Sequence, residues 1–125
     1  MRLERERRVR KRPEFQRAQA AGKRVATRHF VFVISKNSEA TSGARLGITA
    51  SRRVGNAVRR NRLKRLVREV FRRTEAFVPA GFDVIVICRQ DEPDLSADQV
   101  EREWRSERSR IERAVQSLAR SNEAR

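Results

Sequence analysis

Between Arg52 and Arg73 the chain reads RRVGNAVRRNRLKRLVREVFRR, and the spacing of its apolar residues leaves it one local fold. Leu63, Leu66, Val67, Val70 and Phe71 recur at i, i+3, i+4, i+7 and i+8, the stripe of a helix buried along one side. Asn56 is the natural N-cap, and nothing from Ala57 to Thr74 breaks a helix. The opposite face carries Asn61, Arg65, Arg68 and Arg72, with Arg59, Arg60, Arg62 and Lys64 flanking it towards the N-terminal end. A solvated helix interleaves Glu with Lys or Arg at i,i+4, whereas this one sets Arg on Arg, at a cost of a few tenths of a kcal/mol per like pair. Only Glu69 opposes ten cations in the segment, so the charge is held for a partner.

The whole chain agrees. Its 31 Lys and Arg against 16 Asp and Glu leave 125 residues with a net charge of +15, which calls for a polyanion. A membrane is the poorer match, because no apolar run approaches the roughly 20 residues of a spanning helix. The first 15 residues, MRLERERRVRKRPEF, hold no apolar segment of signal-peptide type, so a cytoplasmic location is expected. Cys88, the only cysteine, sits in DVIVICRQ and reads as a buried strand residue, with no disulfide or Cys-rich metal cage available.

Around the basic helix the pattern is that of a small α+β domain. Residues 1–12, with seven cations and two glutamates, read as a flexible basic arm. Pro13 can open a short helix, Glu14–Ala21, closed by Gly22. Residues 29–35 are β-branched and aromatic, a strand whose Phe30, Phe32 and Ile34 share a core face. KNSEATSG, 36–43, has the chemistry of a hairpin connection. Residues 45–51 alternate as a half-buried strand, PAGFD at 79–83 reads as a turn, and Val84–Cys88 as a central strand. Ser96 and Gln99 form a capping box ahead of one terminal helix, with Val100, Trp104, Ile111, Val115 and Leu118 on its stripe. The domain is expected over 13–119, with 120–125 frayed.

The partner is a nucleic acid, with Arg suited to bidentate phosphate contacts. A strand directly precedes the basic helix, so no helix-turn-helix is present, nor is there a C2H2 spacing or a heptad zipper; duplex-DNA modules are absent. No His, Asp and Glu constellation stands at acid–base or metal-ligand spacing. Asp91 and Glu92 read as a solvated loop, and His29 as structural or an RNA contact. Physical reasoning alone ends at a small α/β RNA-binding domain, with a structural RNA binder such as a ribosomal protein as the competing reading.

The string from Arg45 to Phe71, with Arg60-Asn61-Arg62 at its centre, closely resembles the protein subunit of bacterial ribonuclease P. Glu14-Phe15-Gln16, Gly22 and Arg28-His29-Phe30 upstream, and the DVIVICR strand downstream, fit the same family in the same order over residues 9–118. The resemblance implies an α-β-β-β-α-β-α order with a four-stranded mixed sheet, a short first strand near Lys23–Ala26, and a left-handed crossover through the basic helix, against a strong handedness rule.

It also implies removal of the 5′ leader from precursor tRNA by a ribonucleoprotein, one protein per RNA, with no DNA or membrane partner. The active site and its Mg2+ would belong to the RNA subunit, leaving the protein alone inactive. By position, Arg52, Arg53, Asn56, Arg59, Arg60, Asn61, Arg62, Lys64, Arg65 and Arg68 match the surface that binds the RNA subunit. The leader would lie between the first helix and the sheet, against Phe15, Arg17, Arg28, Val31, Val33 and Thr49. Phe15 either stacks on a base or packs in the core. Gln19 and Val33 stand where many relatives carry further aromatics, which implies a cleft with less stacking.

Overall fold

The computed structural model describes residues 22–37, 43–74, 77–90 and 95–123. The expected arm and first helix, with Phe15, Arg17 and Gln19, lie outside these, as do Asp91 and Glu92. Four strands, β1 (Lys23–Ala26), β2 (Phe30–Lys36), β3 (Arg45–Ala50) and β4 (Phe82–Cys88), form one sheet in the order β1-β2-β4-β3. β1 and β4 flank β2 antiparallel, and β3 runs parallel to β4. The basic helix α1 (Ala57–Arg73) is the crossover between that parallel pair, as parallel strands require; its hand remains an expectation of the resemblance.

Three sequence readings change. Residues 36–43 join no hairpin, because β4 inserts between β2 and β3. β4 begins at Phe82, so Asp83 belongs to the strand and not to the turn before it. The terminal helix is two helices, α2 (Ala97–Ser106) and α3 (Arg108–Glu123), parted at Glu107, whose N–H turns back to the Trp104 carbonyl at 3.0 Å. The apolar stripe crosses the break unharmed: Val100, Trp104, Ile111 and Val115 are all buried. α3 remains helical to Glu123, beyond the 119 at which the sequence pattern fades.

The sheet has two unlike faces. On the first, Phe30, Phe32, Ile34, Leu46, Val84 and Val86 meet Leu63, Val67, Val70 and Phe71 of α1 and the α2–α3 stripe in one core. Trp104 stands edge-on to Phe30 and Phe32, with centroids 5.8 and 4.9 Å away, a favourable aromatic geometry. Strand register puts three rows on the second face: Ala26, Val31, Ile87 and Thr49; Arg24, Val33, Ile85 and Gly47; Ser35, Asp83 and Arg45. In the last row Arg45 Nε and Nη2 grip Asp83 at 2.8 and 2.9 Å, and Asn37 Nδ2 reaches the same carboxylate at 2.8 Å.

Candidate nucleic-acid interface

α1 starts where the sequence places it. The Asn56 side chain accepts from the Arg59 N–H at 3.0 Å, satisfying one of the orphan donors of the first turn. Just ahead, Gly55 has φ +154, and a Cβ there would lie 2.9 Å from Arg59 Cδ. Val54, buried, fixes the chain to the core, so the turn carrying Arg52 and Arg53 opens outward from the same end.

Electrostatics divide the helix in two. At its C-terminal end Arg73 bonds Glu69 at 2.9 Å, Asp98 at 2.9 Å and Glu101 at 3.3 Å. These carboxylates, Asp98 first, raise the Arg73 pKa, and Glu101 is lowered, chiefly by Arg105 and then by Arg73. At the N-terminal end the first turn has no acidic residue. Among the described residues no carboxylate pairs with Arg52, Arg53, Arg59, Arg60, Lys64 or Arg65. Helix N-termini carry about half a positive charge and favour anions, so cations gathered there add to the dipole's field. That arrangement weakens a free helix and strengthens its hold on phosphate.

Arg52, Arg53, Asn56, Arg59, Asn61 and Arg65 are exposed, and Arg60, Arg62, Lys64 and Arg68 half-buried. Arg62 also serves the fold, its Nη2 donating to the Leu95 carbonyl at 2.7 Å. Val58, 74% exposed in the first turn, joins this surface; it was legible only as an apolar residue off the stripe.

Those residues expected to meet the leader that the structure describes lie on or beside the second sheet face. Val31 and Thr49, both half-buried, sit in one row with Ile87 between them. Val33, expected as a contact, has no exposed surface in this structure and clusters with Ile85, which is equally buried. Arg28 is exposed in the β1–β2 turn. His29 is buried, its Nδ1 2.6 Å from Glu103 Oε1, a structural position. Among the described residues no three His, Cys, Asp or Glu side chains converge as a metal site, and no helix is long and apolar enough to cross a membrane.

Against known proteins, the family model described as Ribonuclease P matches residues 3–112. The ribonuclease P protein component of Syntrophus aciditrophicus is 38% identical over 101 residues, 81% of this chain and 83% of that protein. That of Thermotoga maritima is 44% identical over 83 residues, 66% of this chain and 69% of its own. The solved RNase P protein of Staphylococcus aureus superposes with a TM-score of 0.69 at 38% identity, covering 80% of this chain and 90% of that one. The T. maritima RNase P protein gives 0.67 at 33% identity, covering 85% and 96%. The four-stranded mixed sheet, its basic crossover helix and these likenesses along most of the sequence agree: the chain belongs to the bacterial ribonuclease P protein family.

Proposed function

We propose that this chain is the protein subunit of a tRNA-processing ribonucleoprotein. On this reading the N-terminal part of α1, with the Arg52–Arg53 turn, docks on the catalytic RNA. The second sheet face, with Arg28 at its end, takes the single-stranded 5′ leader of precursor tRNA. The carrying observation is that, among the described residues, no carboxylate pairs with Arg52, Arg53, Arg59, Arg60, Lys64 or Arg65, while Glu69, Asp98 and Glu101 engage Arg73 at the far end of the helix. Cations gathered against the helix dipole are explained by a phosphate-rich partner.

Magnesium held by the RNA would supply the activated water. The protein's own groups bind and orient: arginines meet phosphates, Asn61 presents an exposed amide to base or sugar, and Val31, Ile87 and Thr49 form a shallow platform. One protein per RNA, in the cytoplasm, completes the proposal.

The test is cleavage of a leader-bearing precursor tRNA at low magnesium by a bacterial ribonuclease P RNA, with and without the protein. Restored cleavage at the mature 5′ end, with the protein inert alone, is expected. No effect on the RNA's activity would leave an RNA-binding domain without the processing role, and cleavage by the protein alone would place an active site in the chain.

A further inference from the structure

The β1–β2 hairpin turns in two residues, Arg28 and His29. Ala26 pairs with Val31, and the Thr27 N–H donates to the Phe30 carbonyl at 2.7 Å. Two-residue hairpins ordinarily use turns with positive φ, whose twist matches the flanking strands, typically through Asn-Gly. Here neither residue has positive φ. The turn does not complete its own ladder either. The Phe30 N–H goes to the Thr27 hydroxyl at 3.2 Å, and the Thr27 carbonyl accepts instead from Arg89 Nη1 at 2.8 Å.

What holds the turn comes from α2. Glu103 Oε2 accepts the Thr27 hydroxyl at 2.5 Å and the His29 N–H at 2.9 Å, while Oε1 meets His29 Nδ1 at 2.6 Å. Gln90 Nε2 adds a bond to the Arg28 carbonyl at 2.9 Å. Thr27 and His29 are thereby buried towards α2, and Arg28 between them is exposed. A connection that only had to join two strands needs no carboxylate from 74 residues away. One that has to aim a particular side chain does.

We infer that Glu103 is a positioning residue for leader recognition. By clamping Thr27 and His29 it presents Arg28 at the end of the Ala26–Val31–Ile87–Thr49 row, as a contact for a leader phosphate. The inference rests on the leader path proposed above and adds to it a residue that touches no RNA.

The test uses the reconstituted holoenzyme and two precursor tRNAs, one with a leader long enough to cross the sheet and one trimmed to a stub. The unmutated protein's preference for the long leader tests the path itself. Glu103→Gln keeps the side chain's shape but replaces one acceptor with a donor facing donors. It should weaken long-leader binding about tenfold, the size of one lost charged hydrogen bond, and leave stub binding and affinity for the RNA subunit unchanged. Arg28→Ala should do the same, and the double variant should be no worse than Arg28→Ala alone. Equal losses on both substrates, additive losses in the double variant, or Glu103→Gln binding the long leader normally while Arg28→Ala does not, would overturn the assignment. Circular dichroism melts of the free variants separate these outcomes from unfolding. If Glu103→Gln melts early, Thr27→Val, which removes one bond to the carboxylate together with the acceptor of the Phe30 N–H, must still weaken the long leader selectively.

Discussion

Arg62 donates from Nη2 to the Leu95 carbonyl at 2.7 Å, so the last residue of Arg60-Asn61-Arg62 is tied into the protein. Leu95 is buried immediately before the Ser96 cap of α2. The bond therefore locks the entry of α2 onto the flank of α1, close to the cationic surface.

Arg60 and Arg62 should then behave differently when replaced. Arg62→Ala should lower the unfolding free energy of the free protein by about 1 kcal/mol, the net worth of such a bond. Arg60→Ala, with no ion pair to lose among the described residues, should stay within about 0.5 kcal/mol. Both should weaken RNA binding, and Arg60→Ala should reduce the slope of log affinity against log salt by about one phosphate contact. Urea titrations and binding at several salt concentrations read both quantities. Equal stability losses would count against the clasp.

Gly55 sets the direction in which α1 leaves β3. Its φ of +154 suits glycine, and a Cβ would press to 2.9 Å on Arg59 Cδ and 3.1 Å on Arg59 Cβ. Gly55→Ala should cost about 1–3 kcal/mol and disturb the Asn56 cap beside it, so RNA affinity should fall with stability. Gly81→Ala, at φ +95 with nothing within 4 Å, isolates the backbone contribution alone. If the two alanine variants unfold at the same urea concentration, the contact with Arg59 carries no weight.

How much of this could be read from the sequence follows from how local each feature is. α1, its Asn56 cap, its buried stripe and the Ser96–Gln99 capping box are set by residues within a few positions of one another, and all form as expected. The core assignment of Phe30, Phe32 and Ile34 rests on strand alternation and also holds. What failed was non-local. Nothing in residues 36–43 reveals that β4, 46 residues further on at the Asn37–Asp83 bond, will separate β2 from β3. The break at Glu107 has no Gly or Pro to announce it, and the apolar period continues across it. Val33 alternates like a surface-facing residue, yet it is fully buried with Ile85 in a second, smaller cluster. The Glu103 clamp joins residues whose types are common and whose sequence separation hides the contact. In the candidate site, the cationic helix was legible and the support of the Arg28 turn was not.

Arg45 and Asp83 form a two-pronged pair on neighbouring parallel strands, both almost without exposure. Desolvation offsets most of the attraction in such a pair, so its presence adds little net stability, but removing one partner strands a buried charge. Asp83→Ala should therefore cost about 3–5 kcal/mol, also leaving the Asn37 amide without its 2.8 Å acceptor. Replacing both, as Arg45→Met with Asp83→Leu, should recover most of that loss. Denaturation of the two single variants and the double closes the cycle, and a double variant as unstable as the sum of the singles would contradict the account.

Glu101 links the two helices that frame the cationic surface: Arg105 of its own helix bonds it at 2.7 Å and Arg73 of α1 at 3.3 Å. The Arg105 hydrogen bond, with Arg73 adding to it, holds its pKa below the ordinary carboxylate value against an opposing desolvation. A carboxyl whose folded pKa is depressed contributes stability that is present above its unfolded pKa and lost as pH falls through the folded one. The bonds between α1 and α2 should therefore weaken as the pH falls below the usual glutamate range, while Arg73, whose pKa is raised, keeps its charge throughout. Glu101→Gln should be less stable than the parent at neutral pH, with the gap closing as the solution is acidified and narrowing with added salt. Thermal unfolding across that pH range measures it, and a gap of constant size from neutral to acid would show that the carboxylate's charge plays no part in docking α1 on α2.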